Sequence, residues 1–89
     1  MRSGAVAGLG KAGADPAVVM PLLIEQLHDQ NRIIRRVAAF ALGDIGGKQS
    51  FEALMGSTED PDGFVREAVF QSLKRIDPVA LAQSGKRFH

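Results

Sequence analysis

Apolar residues recur through the middle of the chain with the period of a helix. Ile34, Ala38, Ala41, Leu42 and Ile45 fall at i, i+4, i+7, i+8 and i+11, one stripe of a 3.6-residue turn. Val65, Val69, Ser72, Leu73 and Ile76 repeat that spacing. Val18, Val19, Leu22, Leu23 and Leu27 form a third stripe, and Phe51, Leu54 and Met55 a shorter one. Start signals precede these segments. Asp15-Pro16, Asp60-Pro61 and Asp77-Pro78 each place a capping carboxylate before a proline, and Asp29 takes the same place without one. Gly13, Gly46-Gly47 and Gly56 stand where left-handed caps would end helices. Pro21 lies inside a helical stripe and predicts a kink. The pattern therefore predicts helices over 2–12, 16–28, 30–46, 49–57 and 61–76, with a fraying turn at 78–83. Asp62-Gly63 is a hairpin signal elsewhere, but the polar run from Gly56 to Asp60 has no strand alternation.

The segments are copies of one another. Residues from Arg35 to Gly46 lie over those from Arg66 to Asp77 at an offset of 31, and stepping back 33 meets Arg2, Ala5, Gly8, Leu9, Gly10 and Gly13. Each copy has an apolar residue before its Arg (Met1, Ile34, Val65) and a Leu seven after it (Leu9, Leu42, Leu73). Fixed self-similarity over this period indicates stacked supersecondary units, none of which hides its apolar face alone. The fold class that follows is all-α. One repeat domain is expected over 1–83: a half unit 1–13, units 15–46 and 48–77, and a partial unit 78–83, with a tail at 84–89.

Composition narrows the function. Twelve of the apolar residues are Ala, so the core is thin and close-packed, as suits an 89-residue chain. Eleven basic against ten acidic residues leave a net charge of +1, which argues against a polyanion-binding tail. With no Cys there is no disulfide framework, thiol nucleophile or thiolate metal site. The apolar start is broken by Gly8 and Gly10 and is too short for a secretory h-region. No stretch reaches the roughly 20 apolar residues of a membrane span, so a cytoplasmic location without membrane contact is expected.

Asp29 stands six residues before Arg35 and Asp60 six before Arg66, with Ile34 and Val65 directly ahead of the arginines. With the Leu42-Gly43-Asp44-Ile45-Gly46 ending, this resembles HEAT-like repeats of the phycobilisome-lyase type across residues 1–77. The resemblance implies an α-solenoid, a right-handed superhelix of helical hairpins with two antiparallel helices per unit, and Pro21, eight before Asp29, matches the kinked first helix of such repeats. The second unit departs by carrying Glu52 there. Asp29, Arg35, Asp60 and Arg66 are thus structural signature residues. The aspartates are expected to cap the second helices, and each Arg fork to bridge a carboxylate and nearby carbonyls along the seam.

Candidate chemistry is sparse. Gly8-Leu9-Gly10-Lys11-Ala12-Gly13 matches GxGxxG, but it lacks the preceding strand and βαβ context of a dinucleotide site. His28 and His89 are the two histidines, and neither joins ligands at metal-site spacing. The chain has no His-Glu pair of the kind that holds iron in the HEAT-like deoxyhypusine hydroxylases, and Ser3, Ser50, Ser57, Ser72 and Ser84 lack a His base. No catalytic residue, cofactor or metal is assigned, and no enzyme activity is expected of the chain alone. The clusters Arg32-Arg35-Arg36, Lys74-Arg75 and Lys86-Arg87 open a second alternative, weak nucleic-acid binding. Interleaved acids, and the absence of Trp and Tyr for stacking, argue against it.

What remains is the face of the second helices away from the core, where equivalent positions form rows: Ser3, Arg36 and Glu67; Ala7, Phe40 and Gln71; Lys11, Asp44 and Arg75. In the resembled family this face lines the concave side of the solenoid. It is expected to serve as a protein- or peptide-docking surface built from Arg36, Phe40, Asp44, Glu67, Gln71, Lys74 and Arg75, with Phe40 as anchor. A simpler expectation for the same side chains is a lateral charge lattice, Arg36 with Glu67 and Asp44 between Lys11 and Arg75. The function expected is a non-catalytic interaction scaffold; the alternative is an accessory or regulatory subunit of a lyase-type enzyme complex. Uncapped solenoid ends add self-association as a further expectation.

Overall fold

The computed structural model describes residues 16–87. The expected first helix with Leu9, the GxGxxG run, Gly13, Asp15, row members Ser3, Ala7 and Lys11, and His89 lie outside the described residues. Five helices follow in order: α1 (Pro16–Gln26), α2 (Arg32–Ile45), α3 (Gly47–Met55), α4 (Gly63–Ile76) and α5 (Pro78–Ser84). No strand occurs among the described residues. The first helix of each hairpin (α1, α3) packs on the second (α2, α4), and α4 lies along α2 as the largest interface. α1 also reaches α3, and α5 packs on α4. The all-helical solenoid expected from the repeats is what forms.

Leu42 and Leu73, equivalent residues of the two units, are wholly buried in one apolar cluster with Val19, Leu23, Leu27, Leu54, Val65 and Val69. Truncating either to Ala would cost about 2–5 kcal/mol. On α2 the buried line is Ala38, Ala39, Leu42 and Gly43, while Ile34, Ala41 and Ile45 are only partly covered. That shift follows from α4. A Cβ placed on Gly43 would lie 2.5 Å from Ser72 Oγ and 2.6 Å from Ser72 Cβ. Ser72 Oγ donates to the Ala39 carbonyl at 2.8 Å. Small residues on both helices let the backbones approach, and the hydroxyl satisfies itself across the seam.

Several expected details are corrected. Val18 (61% exposed) and Leu22 (40%) face outward, and the described side chains that α1 buries are Val19, Met20 and Leu23, with Ile24 partly covered. α1 is apolar nearly all round, and its pattern alone does not choose a face. Instead Met20 turns inward and its sulfur accepts from buried Ser50 Oγ at 3.4 Å. α1 spans Pro21 and ends at Gln26, two residues before the expected end. Gly56 ends α3 at φ −71°, in the right-handed region, so it is not a left-handed cap. Gly46 (φ 74°) and Gly47 (φ 88°) do adopt positive φ and turn the chain from α2 into α3. The last turn is a regular helix, with Asp77 accepting from Ala80 N at 3.0 Å and Pro78 opening it. It runs to Ser84, one residue beyond the expected end, and closes on Gly85 at φ 79°.

Candidate functional site: the seam ladder and the outer face of α2 and α4

The caps sit two residues later than the sequence suggested. Asn31 caps α2, accepting from Ile33 N at 2.9 Å. Asp62 caps α4, accepting from Phe64 N at 2.9 Å and Val65 N at 3.1 Å. Asp29 and Asp60 are not the capping residues; each instead closes the turn before the cap, taking Asn31 N at 2.8 Å and Asp62 N at 2.9 Å. For Asp60 the reason is Arg35. Its Nη1 donates to the carbonyls of Asp29 (2.7 Å) and Gln30 (3.1 Å), while Nε and Nη2 donate to the Asp60 carboxylate at 2.8 and 3.3 Å. Asp60 is committed to the arginine of the preceding unit and its own turn, so the cap passes to the next available acceptor. The side chains of this pair are 15% and 8% exposed. The polar ladder expected at the seam is therefore present. Arg66 repeats the first half of the arrangement, with Nη1 on the Asp60 carbonyl at 2.7 Å.

On the outer face, the rows meet differently from the lattice expected of them. Arg36 does not pair with Glu67. Its guanidinium carbon lies 5.6 Å from the Phe40 ring centre and 5.9 Å from that of Phe64. A cation over an aromatic face is held by the ring quadrupole, and two rings clasp this one from adjacent helices. Glu67 stays on its own helix and accepts from Gln71 Nε2 at 3.4 Å. Arg75 Nη1 donates to Asp44 Oδ1 at 2.6 Å, the one expected row pair that forms within the described residues. Lys74 is exposed beside it. Phe40 is only partly buried and touches the core, so it anchors as well as displays.

Phe64, 68% exposed, was missed by the sequence reading. Its signal is the repeat register, since it stands 31 residues after Ile33, itself 63% exposed. The structure thus brings Arg36, Phe40 and Phe64 together and Asp44 with Arg75, and keeps Glu67, Gln71 and Lys74 on α4 as their neighbours. Among the described residues no three His, Cys, Asp or Glu side chains converge as metal ligands, and no helix is long and apolar enough to cross a membrane. His28 is exposed at the start of the α1–α2 turn.

The family description "HEAT repeats" matches residues 20–84 of the chain. Among curated proteins, the phycocyanobilin lyase subunit alpha of Nostoc sp. is similar, at 35% identity over 75 residues. That alignment takes in 76% of this chain but 27% of the relative, so the chain spans about a quarter of the relative's length. No solved structure matches. The Arg35–Asp60 ladder, the stacked hairpins and the matched residues agree, and the chain belongs to the HEAT repeat family, with repeats of the phycobilisome-lyase-like type.

Proposed function

We propose that the chain is a non-catalytic protein–protein interaction scaffold whose second helices present one continuous face to a protein or peptide partner. The observation that supports this most is the cluster of Arg36 between Phe40 and Phe64, contributed by both units. An exposed guanidinium framed by aromatic rings has the composition of an interface hot spot, where Arg and aromatic residues dominate. Asp44, Glu67, Gln71, Lys74 and Arg75 extend the face as a polar rim.

Capture from a native lysate, followed by mass spectrometry, tests this reading. The Arg36→Glu and Phe64→Ser double variant should lose the partner held by the wild type while keeping its helical spectrum and unfolding midpoint. Phe40→Asp tests the anchor separately: loss of fold there would assign Phe40 to the core rather than to the partner. Retention of the same partner by the double variant would refute the assignment of this face.

A second reading, an accessory subunit of a lyase-type complex, is favoured by the relative whose name describes a lyase subunit. It places the same face against an enzyme subunit, and reconstitution with that subunit would distinguish it.

A further inference from the structure

Arg36 differs from the arginines around it in what its fork touches. Arg35, Arg66 and Arg75 each donate to an oxygen at 2.6–2.8 Å. Arg36 is exposed, and among the described residues no hydrogen bond or ion pair engages it. Its guanidinium is held instead by the rings of Phe40 and Phe64. Rings attract the charge without supplying an oxygen, so the planar fork of five N–H donors keeps its hydrogen-bonding capacity. The neighbouring acids are committed elsewhere. Asp44 accepts from Arg75, Glu67 accepts from Gln71, and Asp62 caps α4 while standing 3.7 Å from Arg32. The surroundings of the fork are otherwise apolar. Phe64 is exposed at the start of α4, and Ile33, one turn before Arg36 on α2, is exposed beside it. Ile33 also lines a shallow hollow of about 540 Å³ between the starts of α2 and α4, together with Arg32 and Pro61.

We propose that this face binds an acidic, apolar-flanked peptide segment of a partner protein, with one partner carboxylate in the plane of the Arg36 fork. An apolar side chain next to that carboxylate rests against Phe64 and in the hollow beside Ile33. The inference rests on the reading of the outer face as a docking surface and names the partner chemistry that the face takes. A carboxylate accepts two parallel N–H bonds from a guanidinium, and the aromatic clasp has already restricted the fork, so less side-chain freedom is lost on binding. A single fork in apolar surroundings suits one singly charged group. A polyanion would need several unpaired cations, whereas here Arg32 is shared with Asp62, and Asp44 and Glu67 stand on the same face.

The test uses the full chain and a short fluorescein-labelled peptide, amidated at its C-terminus, in which Glu residues flank Leu. Anisotropy reads the affinity, and NMR reads the backbone amides and the Arg36 Nε–H. Saturable binding is expected, with shifts at Ile33, Phe64 and the Arg36 Nε–H. Arg36→Lys keeps the charge and gives up the fork, and should weaken binding about tenfold at an unchanged unfolding midpoint. Replacing Glu by Gln in the peptide should weaken binding at least as much. Absence of saturable binding overturns the proposal, as does equal affinity for the Gln peptide or equal affinity in Arg36→Lys. Shifts confined to other parts of the chain also overturn it. Shifts at Ile33 and Phe64 that grow with protein concentration without peptide would assign the face to a second copy, and equal competition by duplex DNA or anionic vesicles would assign it to polyanions. Either result overturns it. If the peptide fails while the Arg36→Glu and Phe64→Ser variant still loses its lysate partner, the docking face stands and the carboxylate preference falls. If that variant retains the partner, the face itself falls.

Discussion

Replacing Asp60 by Ala is the most informative perturbation of this fold, because it separates two roles that the sequence alone had merged. Were Asp60 the cap of α4, its loss would cost about 1 kcal/mol. In the structure Asp62 caps α4, while Asp60 accepts two N–H groups of Arg35 and the amide of Asp62. Hydrogen bonds to a charged group are each worth about 1.5–3 kcal/mol, and removing one partner of a buried pair costs about 3–5 kcal/mol. Arg35 retains its two carbonyl acceptors and is 15% exposed, so water relieves part of that penalty. The expected loss for Asp60→Ala is therefore about 2–3 kcal/mol. For 89 residues the whole stability is only about 5–13 kcal/mol.

Urea unfolding followed by circular dichroism at 222 nm measures the loss, since the chain lacks the Trp that a fluorescence assay would use. With a slope near 1 kcal/mol per molar, the midpoint should fall by about 2–3 M. Asp62→Ala, which removes the true cap, should cost about 1 kcal/mol and so rank below it. A double-mutant cycle of Asp60→Ala with Arg35→Ala should return a coupling of at least about 1 kcal/mol. An Asp60 loss under about 0.5 kcal/mol, or one smaller than that of Asp62, would refute the ladder as a source of stability.

Two further outcomes follow from the same seam and its surface. Gly43→Ala should destabilise by about 1–3 kcal/mol, because the new Cβ meets the Cβ and Cα of Ser72 as well as its movable hydroxyl; thermal unfolding of Gly43→Ala with and without Ser72→Ala checks this, and Ser72→Ala should not restore stability. Arg75→Ala should change stability by less than about 1 kcal/mol despite the 2.6 Å contact, since Arg75 and Asp44 are 63% and 60% exposed; urea midpoints at low and high salt read it.

Much of this fold was legible because its signals are periodic. The stripe through Leu42 recurs through Leu73, and both residues enter one core. The Arg35 fork was legible as chemistry, since a guanidinium with five donors near a turn needs several acceptors. Three features resisted for physical reasons. The cap of α4 was misplaced because local rules treat an Asp before a Pro as free to cap, whereas a side chain 25 positions away in sequence had claimed Asp60. The outward turn of Val18 and Leu22 was hidden because α1 carries too little polarity to declare a face. The partnership of Arg36 with Phe64 depends on where α4 lies along α2, a placement set by the Gly43–Ser72 contact and the Arg35–Asp60 pair rather than by either aromatic residue.

That last dependence ties the surface to the seam. Phe64 lies at the second residue of α4, just after the cap, and Arg36 lies one residue beyond the fork of the ladder. The Arg35–Asp60 pair fixes the start of α4 against the start of α2, so it also sets the separation of Arg36 from Phe64. Loosening the ladder would be expected to widen the aromatic clasp even where the core survives. An Asp60→Asn variant, which keeps an acceptor but gives up the charge, should therefore weaken partner capture more than its modest loss of stability accounts for. Equal capture by Asp60→Asn and the wild type, at matched folded fractions, would show that the outer face is held by the apolar core alone.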